Sequence, residues 1–122
     1  MNKDRKFVLT VIALRVLALP VKAEEKVWYC EPVAFVDVSK KGVRNLKSDR
    51  FTMSVSSDDI KFASQGWFDN AQMTPTFWEN GDHFHAKDDL NIASLRFVDG
   101  LFSYSHLTYE YSAAMTAMCE EF

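Results

Sequence analysis

Apolar and polar residues alternate along most of this chain with a period of two, the spacing of a strand that buries one face. The first long run is Lys26 to Ser39. Trp28, Cys30, Ala34, Val36 and Val38 share one parity and are predicted to face inward. Glu31 and Asp37 take the other parity, which Tyr29, Val33 and Phe35 make partly apolar. Pro32 has no amide hydrogen to give to a ladder, so a bulge or an edge is expected there. Lys40-Lys41-Gly42 reads as a turn. Phe51, Met53 and Val55 then alternate with Thr52, Ser54 and Ser56 as a half-buried strand, and Ser57-Asp58-Asp59 turns the chain. Ile60, Phe62, Ser64, Gly66 and Phe68 share a face of the next predicted strand. Trp67 lies on the opposite parity, and Gly66 marks a bulge or a close approach of backbones. Asp69 to Pro75 reads as a loop.

Two dipeptides punctuate the second half. Asn80-Gly81, between Phe77-Trp78-Glu79 and Asp82-His83-Phe84-His85-Ala86, is the signal of a type I′ hairpin turn, in which both central residues take positive φ. Asp99-Gly100 repeats it between Ala93–Phe97 and Leu101–Tyr109. In that last run Phe102 and Tyr104 share one face, and Leu101, Leu107 and Tyr109 the other. Tyr111 to Phe122 fits both periods. Tyr111, Ala113, Met115, Ala117 and Cys119 alternate, while Tyr111, Met115, Met118 and Phe122 have helical spacing. A strand is expected, because it continues the series of hairpins and covers an otherwise open edge.

The elements sum to an all-β chain, an antiparallel meander of seven or eight strands. It closes as a small calycin-like barrel or flattens into a sandwich. Residues 1–23 stand apart. Met1-Asn2-Lys3-Asp4-Arg5-Lys6 is a basic start, Phe7–Leu19 an apolar run, and Val21-Lys22-Ala23 a small-x-small cleavage pattern. These define a predicted signal peptide cut after Ala23, followed by a single β domain over 24–122. An uncleaved interfacial anchor is the alternative. The run is shorter than the ~20 residues that span a bilayer, so stable membrane insertion is not expected.

Composition sharpens this picture at three points. The 48% hydrophobic and 14% aromatic fractions suffice for a core in one domain of this size. Removing residues 1–23 takes five basic residues and one acid from totals of 14 and 17, leaving a formal net charge of −7. That charge disfavours nucleic acid and anionic membrane surfaces and leaves room for a cationic partner. The remaining positive charge concentrates in Lys40, Lys41, Arg44, Lys47 and Arg50, which read as a solvated loop and strand face or as a docking patch for an acidic group. Cys30 and Cys119 are the only cysteines. In an exported chain they are expected to pair, closing a loop of about 90 residues worth ~4–5 kcal/mol in the chain-entropy model.

Chemistry-bearing motifs are scarce. No Gly-x-Ser-x-Gly elbow and no phosphate-binding glycine loop occurs, and neither cysteine is expected to be free as a nucleophile. No catalytic residue, cofactor or metal is assigned. His83 and His85 project to one face of a strand, a workable pair of metal ligands, but no spacing fixes a third. They are kept, with Trp67 and Trp78, as candidate binding-surface residues.

Trp28-Tyr29-Cys30-Glu31 near the start and Ala117-Met118-Cys119-Glu120-Glu121-Phe122 at the end resemble the plan of small secreted proteins of Gram-negative bacteria. Tyr29-Cys30 and Cys119 also resemble the cysteine frame of periplasmic inhibitors of C-type lysozyme, which implies a disulfide-bonded β-barrel. The inhibitors' loop motif is not found. The expected function is that of a periplasmic or secreted non-catalytic binding protein, a protein-binding or inhibitor module. Its partner would be a cationic envelope protein. The alternative is a carrier whose barrel cavity holds a small apolar ligand.

Overall fold

The computed structural model describes residues 25–64 and 66–122. The predicted signal peptide over 1–23 lies outside them. Nine strands follow in order: β1 (Lys26–Ser39), β2 (Gly42–Asn45), β3 (Phe51–Val55), β4 (Ile60–Phe62), β5 (Gln72–Asn80), β6 (His83–Lys87), β7 (Ala93–Val98), β8 (Leu101–Leu107) and β9 (Tyr111–Glu121). All pairings are antiparallel, and β9 returns to pair with β1. The meander therefore closes as an eight-stranded barrel, with β2 as an extra strand hydrogen-bonded to β1 alone. The segment Tyr111–Glu121 is strand along its length, as the series of hairpins requires.

Closure works because β1 is long enough to serve three partners. Its first half, Lys26–Cys30, pairs with β3, and its second half, Val36–Ser39, pairs with β2. The opposite edge pairs with β9 throughout. Between Pro32 and Ala34 the register shifts by a bulge. One extra residue inverts the parity of everything after it. Trp28 and Cys30 face inward as expected, but Ala34, Val36 and Val38 do not: Phe35 and Asp37 are the buried residues beyond the bulge, and Val38 is exposed.

The interior is filled by side chains. Phe51, Met53, Ile60, Phe84, Phe97, Phe102 and Met115 are fully buried, and each contributes roughly 1.5–3 kcal/mol through burial. Phe51 and Phe102 meet across the barrel at 4.9 Å between ring centroids. The strand expected over Ile60–Phe68 instead ends at Phe62. A 3-10 turn over Gly66–Phe68 follows, with Gly66 at φ +68°, a left-handed conformation that favours glycine. This turn drops Phe68 onto Phe51, Phe62 and Phe102 as a plug. The loop expected over Asp69–Pro75 is shorter than that, since β5 begins at Gln72.

The hairpin turns also differ. Asp99 and Gly100 both have positive φ, 47° and 88°, and form the type I′ turn. Neither Asn80 nor Gly81 does. A second bulge, between Trp78 and Asn80, moves the turn to Gly81-Asp82, closed by the Asn80–His83 pair. There Asn80 Oδ1 accepts the Asp82 amide hydrogen at 2.7 Å, an Asx turn in place of the I′ turn.

Candidate functional site

The turns β3–β4, β5–β6 and β7–β8 gather at one end of the barrel, called the lower end. The turns β1–β2, β6–β7 and β8–β9, with the Gly66–Phe68 plug, make the upper end. Chemistry-bearing side chains separate between the two.

At the lower end the β5–β6 hairpin outruns its neighbour. β5 pairs with β4 only through Gln72 and Met73, so Thr74–Asn80 is hydrogen-bonded to β6 alone. Pro75 falls on this half-free strand, where a missing amide hydrogen is tolerated. The outer face of the hairpin carries Phe77, 44% exposed, with the His83 and His85 rings 5.3 and 5.1 Å from it. Nδ1 of His83 lies 2.7 Å from Oε2 of Glu79, an ion pair whenever the imidazole is protonated. Trp78 takes the opposite face. It stacks on Phe84 at 5.4 Å and packs against the core, so its ring supports the hairpin from within.

The turn of the hairpin is held by Lys26, whose ammonium donates to both carboxylate oxygens of Asp82 at 3.0 and 3.2 Å and lies 3.7 Å from Glu121. The bond to Asp82 raises the Lys26 pKa above the ordinary lysine value, against the pull of desolvation. Trp28 closes the barrel beneath: its Nε1–H donates to the Gly81 carbonyl at 3.2 Å and its ring meets Phe97 at 4.8 Å. Asp58, Asp59, Glu79, Asp82, Asp99, Glu120 and Glu121 surround this end, facing Lys26 and Lys61. The lower end is therefore strongly acidic.

The upper end holds Trp67, far from the other candidates. Its ring packs edge-on against Phe35 at 4.8 Å, and its Nε1–H donates to Tyr104 Oη at 3.4 Å. Because Tyr104 accepts there, its own hydrogen is free for His106 Nδ1, 2.9 Å away. Burial pushes the Tyr104 hydroxyl above the ordinary phenol range, and the bond from Trp67 pulls the other way. The His106 ring lies parallel to Tyr111 at 5.6 Å. Above this network the β1–β2 hairpin carries a second constellation. Asp37 is 3% exposed, yet its carboxylate accepts from Nε and Nη2 of Arg44, whose side chain is 70% exposed.

Sequence reading thus joins His83 and His85 correctly on one face, while the structure sets Trp67 and Trp78 in different places. It misses Phe77, Tyr104, Asp37 and Arg44 as a set. The signal for the Asp37–Arg44 pair was present in the Pro32 bulge, which inverts the parity downstream. Among the described residues no group of three or more His, Cys, Asp or Glu is arranged to hold a metal ion. Comparison with protein-family models, curated proteins and solved structures finds no match for the chain.

Proposed function

We propose that this chain is an exported, non-catalytic binding protein that docks a cationic protein on its β5–β6 hairpin. One observation carries the reading. The hairpin outruns β4 and presents an exposed aromatic ring, Phe77, flanked by His83 and His85 with Glu79 paired to His83, at the acidic end of the barrel. An exposed aromatic ring is a frequent anchor of a protein interface, and the acidic end of the barrel would speed encounter with a basic partner. Inhibition of a cationic envelope enzyme is the form this binding would take. The Cys30–Cys119 bridge supports an oxidising, exported location, and the periplasm or the cell exterior is the proposed site of action.

A small-ligand carrier would need a cavity inside the barrel. Phe51, Phe84, Phe97 and Phe102 occupy that space, which favours the protein-binding reading. The test is affinity capture from periplasmic extract, with mass spectrometry of bound proteins and bound small molecules. The reading expects a basic protein, retained at low salt and lost with Phe77→Ala. Recovery of a small apolar molecule alone, or of the same proteins by Phe77→Ala, would sink it.

A further inference from the structure

Barrel closure leaves two stretches of open edge among the described residues: Thr74–Asn80 of β5, which carries Pro75, and the outer side of β2. The four residues of β2 pair with β1 on one side and with no described strand on the other. Native proteins blunt such edges with proline, bulges, charged side chains or brevity; β2 has no proline and no register shift, and its blunting rests on its four-residue length and on Arg44. Val43, 70% exposed, stands directly opposite the exposed Val38, so the outer face of the hairpin is apolar. On the other face stands Arg44.

Arg44 is held in a particular way. Its Nε and Nη2 are committed to Asp37, a carboxylate buried on the barrel side of β1. Desolvation of the buried carboxylate offsets part of what its bonds to Arg44 contribute. What the arrangement does achieve is a guanidinium fixed in plane, with Nη1 forming no hydrogen bond among the described residues. Lys40 and Lys41 line the same hollow with Tyr109, Glu110 and Tyr111, so three cations there face two carboxylates, Asp37 and Glu110. Neither lysine side chain forms an ion pair among the described residues.

We propose that the free edge of β2 docks an extended, acidic segment of a partner protein as an added strand. The backbone of β2 supplies the ladder, Val43 an apolar contact on one face, and Arg44 with Lys40 and Lys41 the charge that selects carboxylates on the other. Strand addition of this kind takes affinity from main-chain hydrogen bonds and specificity from alternate side chains. A second copy of this chain is disfavoured as the occupant, because edge-to-edge pairing would bring two Lys40-Lys41-x-x-Arg44 sets together. This site is independent of the acidic hairpin at the lower end and has the opposite charge preference.

The test titrates the purified protein with a capped peptide alternating Glu and Val, and with its Lys–Val counterpart, while amide hydrogen exchange is followed. The Glu peptide is expected to bind and to slow exchange over Gly42–Asn45. The affinity should fall by about tenfold or more in Val43→Pro, which removes an edge amide, and in the Lys40→Gln/Lys41→Gln pair. The lysine variant breaks no native contact, so it keeps the test intact if Val43→Pro disturbs the hairpin. Arg96→Gln, at an exposed position of β7, should leave binding unchanged. Equal binding of the Lys peptide, no protection over Gly42–Asn45, an unaffected affinity in both edge variants, or dimerisation through this edge would each overturn the proposal.

Discussion

Cys30 and Cys119 stand directly opposite one another in the β1–β9 ladder, with Cα atoms 4.0 Å apart and a sequence separation of 89. The bridge therefore crosses the seam at which the barrel closes. Replacing both residues by serine leaves the seam's backbone ladder available, so the barrel is expected to form but to lose ~4–5 kcal/mol in urea unfolding. A loss below ~1 kcal/mol would show that the ladder alone governs closure.

Gly100 rests against the same cysteine. Its carbonyl accepts the Cys119 amide hydrogen at 2.7 Å, and a Cβ on Gly100 would lie 2.9 Å from the Cys119 carbonyl oxygen. Its φ of +88° adds backbone strain for any other residue. Gly100→Ala is expected to cost on the order of 1–3 kcal/mol, read as a lower midpoint in urea. An unchanged midpoint would mean that the β7–β8 turn relaxes freely.

The Asp37–Arg44 pair predicts an acid-sensitive term. The hydrogen bonds from Arg44 hold the Asp37 pKa below the ordinary carboxylate range, against the upward pull of burial. A carboxylate depressed in the folded state stabilises above its unfolded pKa, ~3.9, and loses that contribution as pH falls through the folded value. The stability gap between wild type and Arg44→Gln should be full at pH 7 and should close as pH drops below about 4. Urea titrations at neutral and acid pH check this, and a gap that persists in acid would assign Arg44 a packing role instead.

Two phenylalanines separate binding from folding. Phe102 is fully buried among Phe51, Phe62 and Phe68, and Phe102→Ala should cost ~3–5 kcal/mol. Phe77 is exposed on the hairpin, so Phe77→Ala should stay within about 0.5 kcal/mol of wild type while abolishing capture of the proposed partner. Thermal unfolding of both variants beside the capture experiment distinguishes them. A large loss of stability in Phe77→Ala would make that ring structural.

Much of the fold was legible because strand parity is a local signal. Phe51-Met53-Val55 and Tyr111–Cys119 lie where alternation puts them, and Asp99-Gly100 makes the turn its residues demand. The misplacements trace to single extra residues. The bulge after Pro32 exchanges Val36 and Val38 for Phe35 and Asp37, and the one beside Glu79 moves a turn from Asn80-Gly81 to Gly81-Asp82. The strand that hydrophobic alternation alone would have continued to Phe68 ends at Phe62, and Gly66 opens the turn that follows. The site was less legible than the fold because its pairs are non-local. Trp67 and Tyr104, 37 residues apart, meet only once the barrel is closed and plugged.

The seam between β1 and β9 also dictates a timetable. Every other pairing of the barrel joins strands consecutive around the meander, and each can form as soon as its second strand emerges. The β1–β9 ladder must wait for Tyr111–Glu121, so a partly delivered chain carries two long raw edges, on β1 and on β8. Closing so large a loop is slow, and open edges invite pairing with other chains. Until its last strand arrives, the chain is therefore an open sheet that only its own C-terminal segment can close.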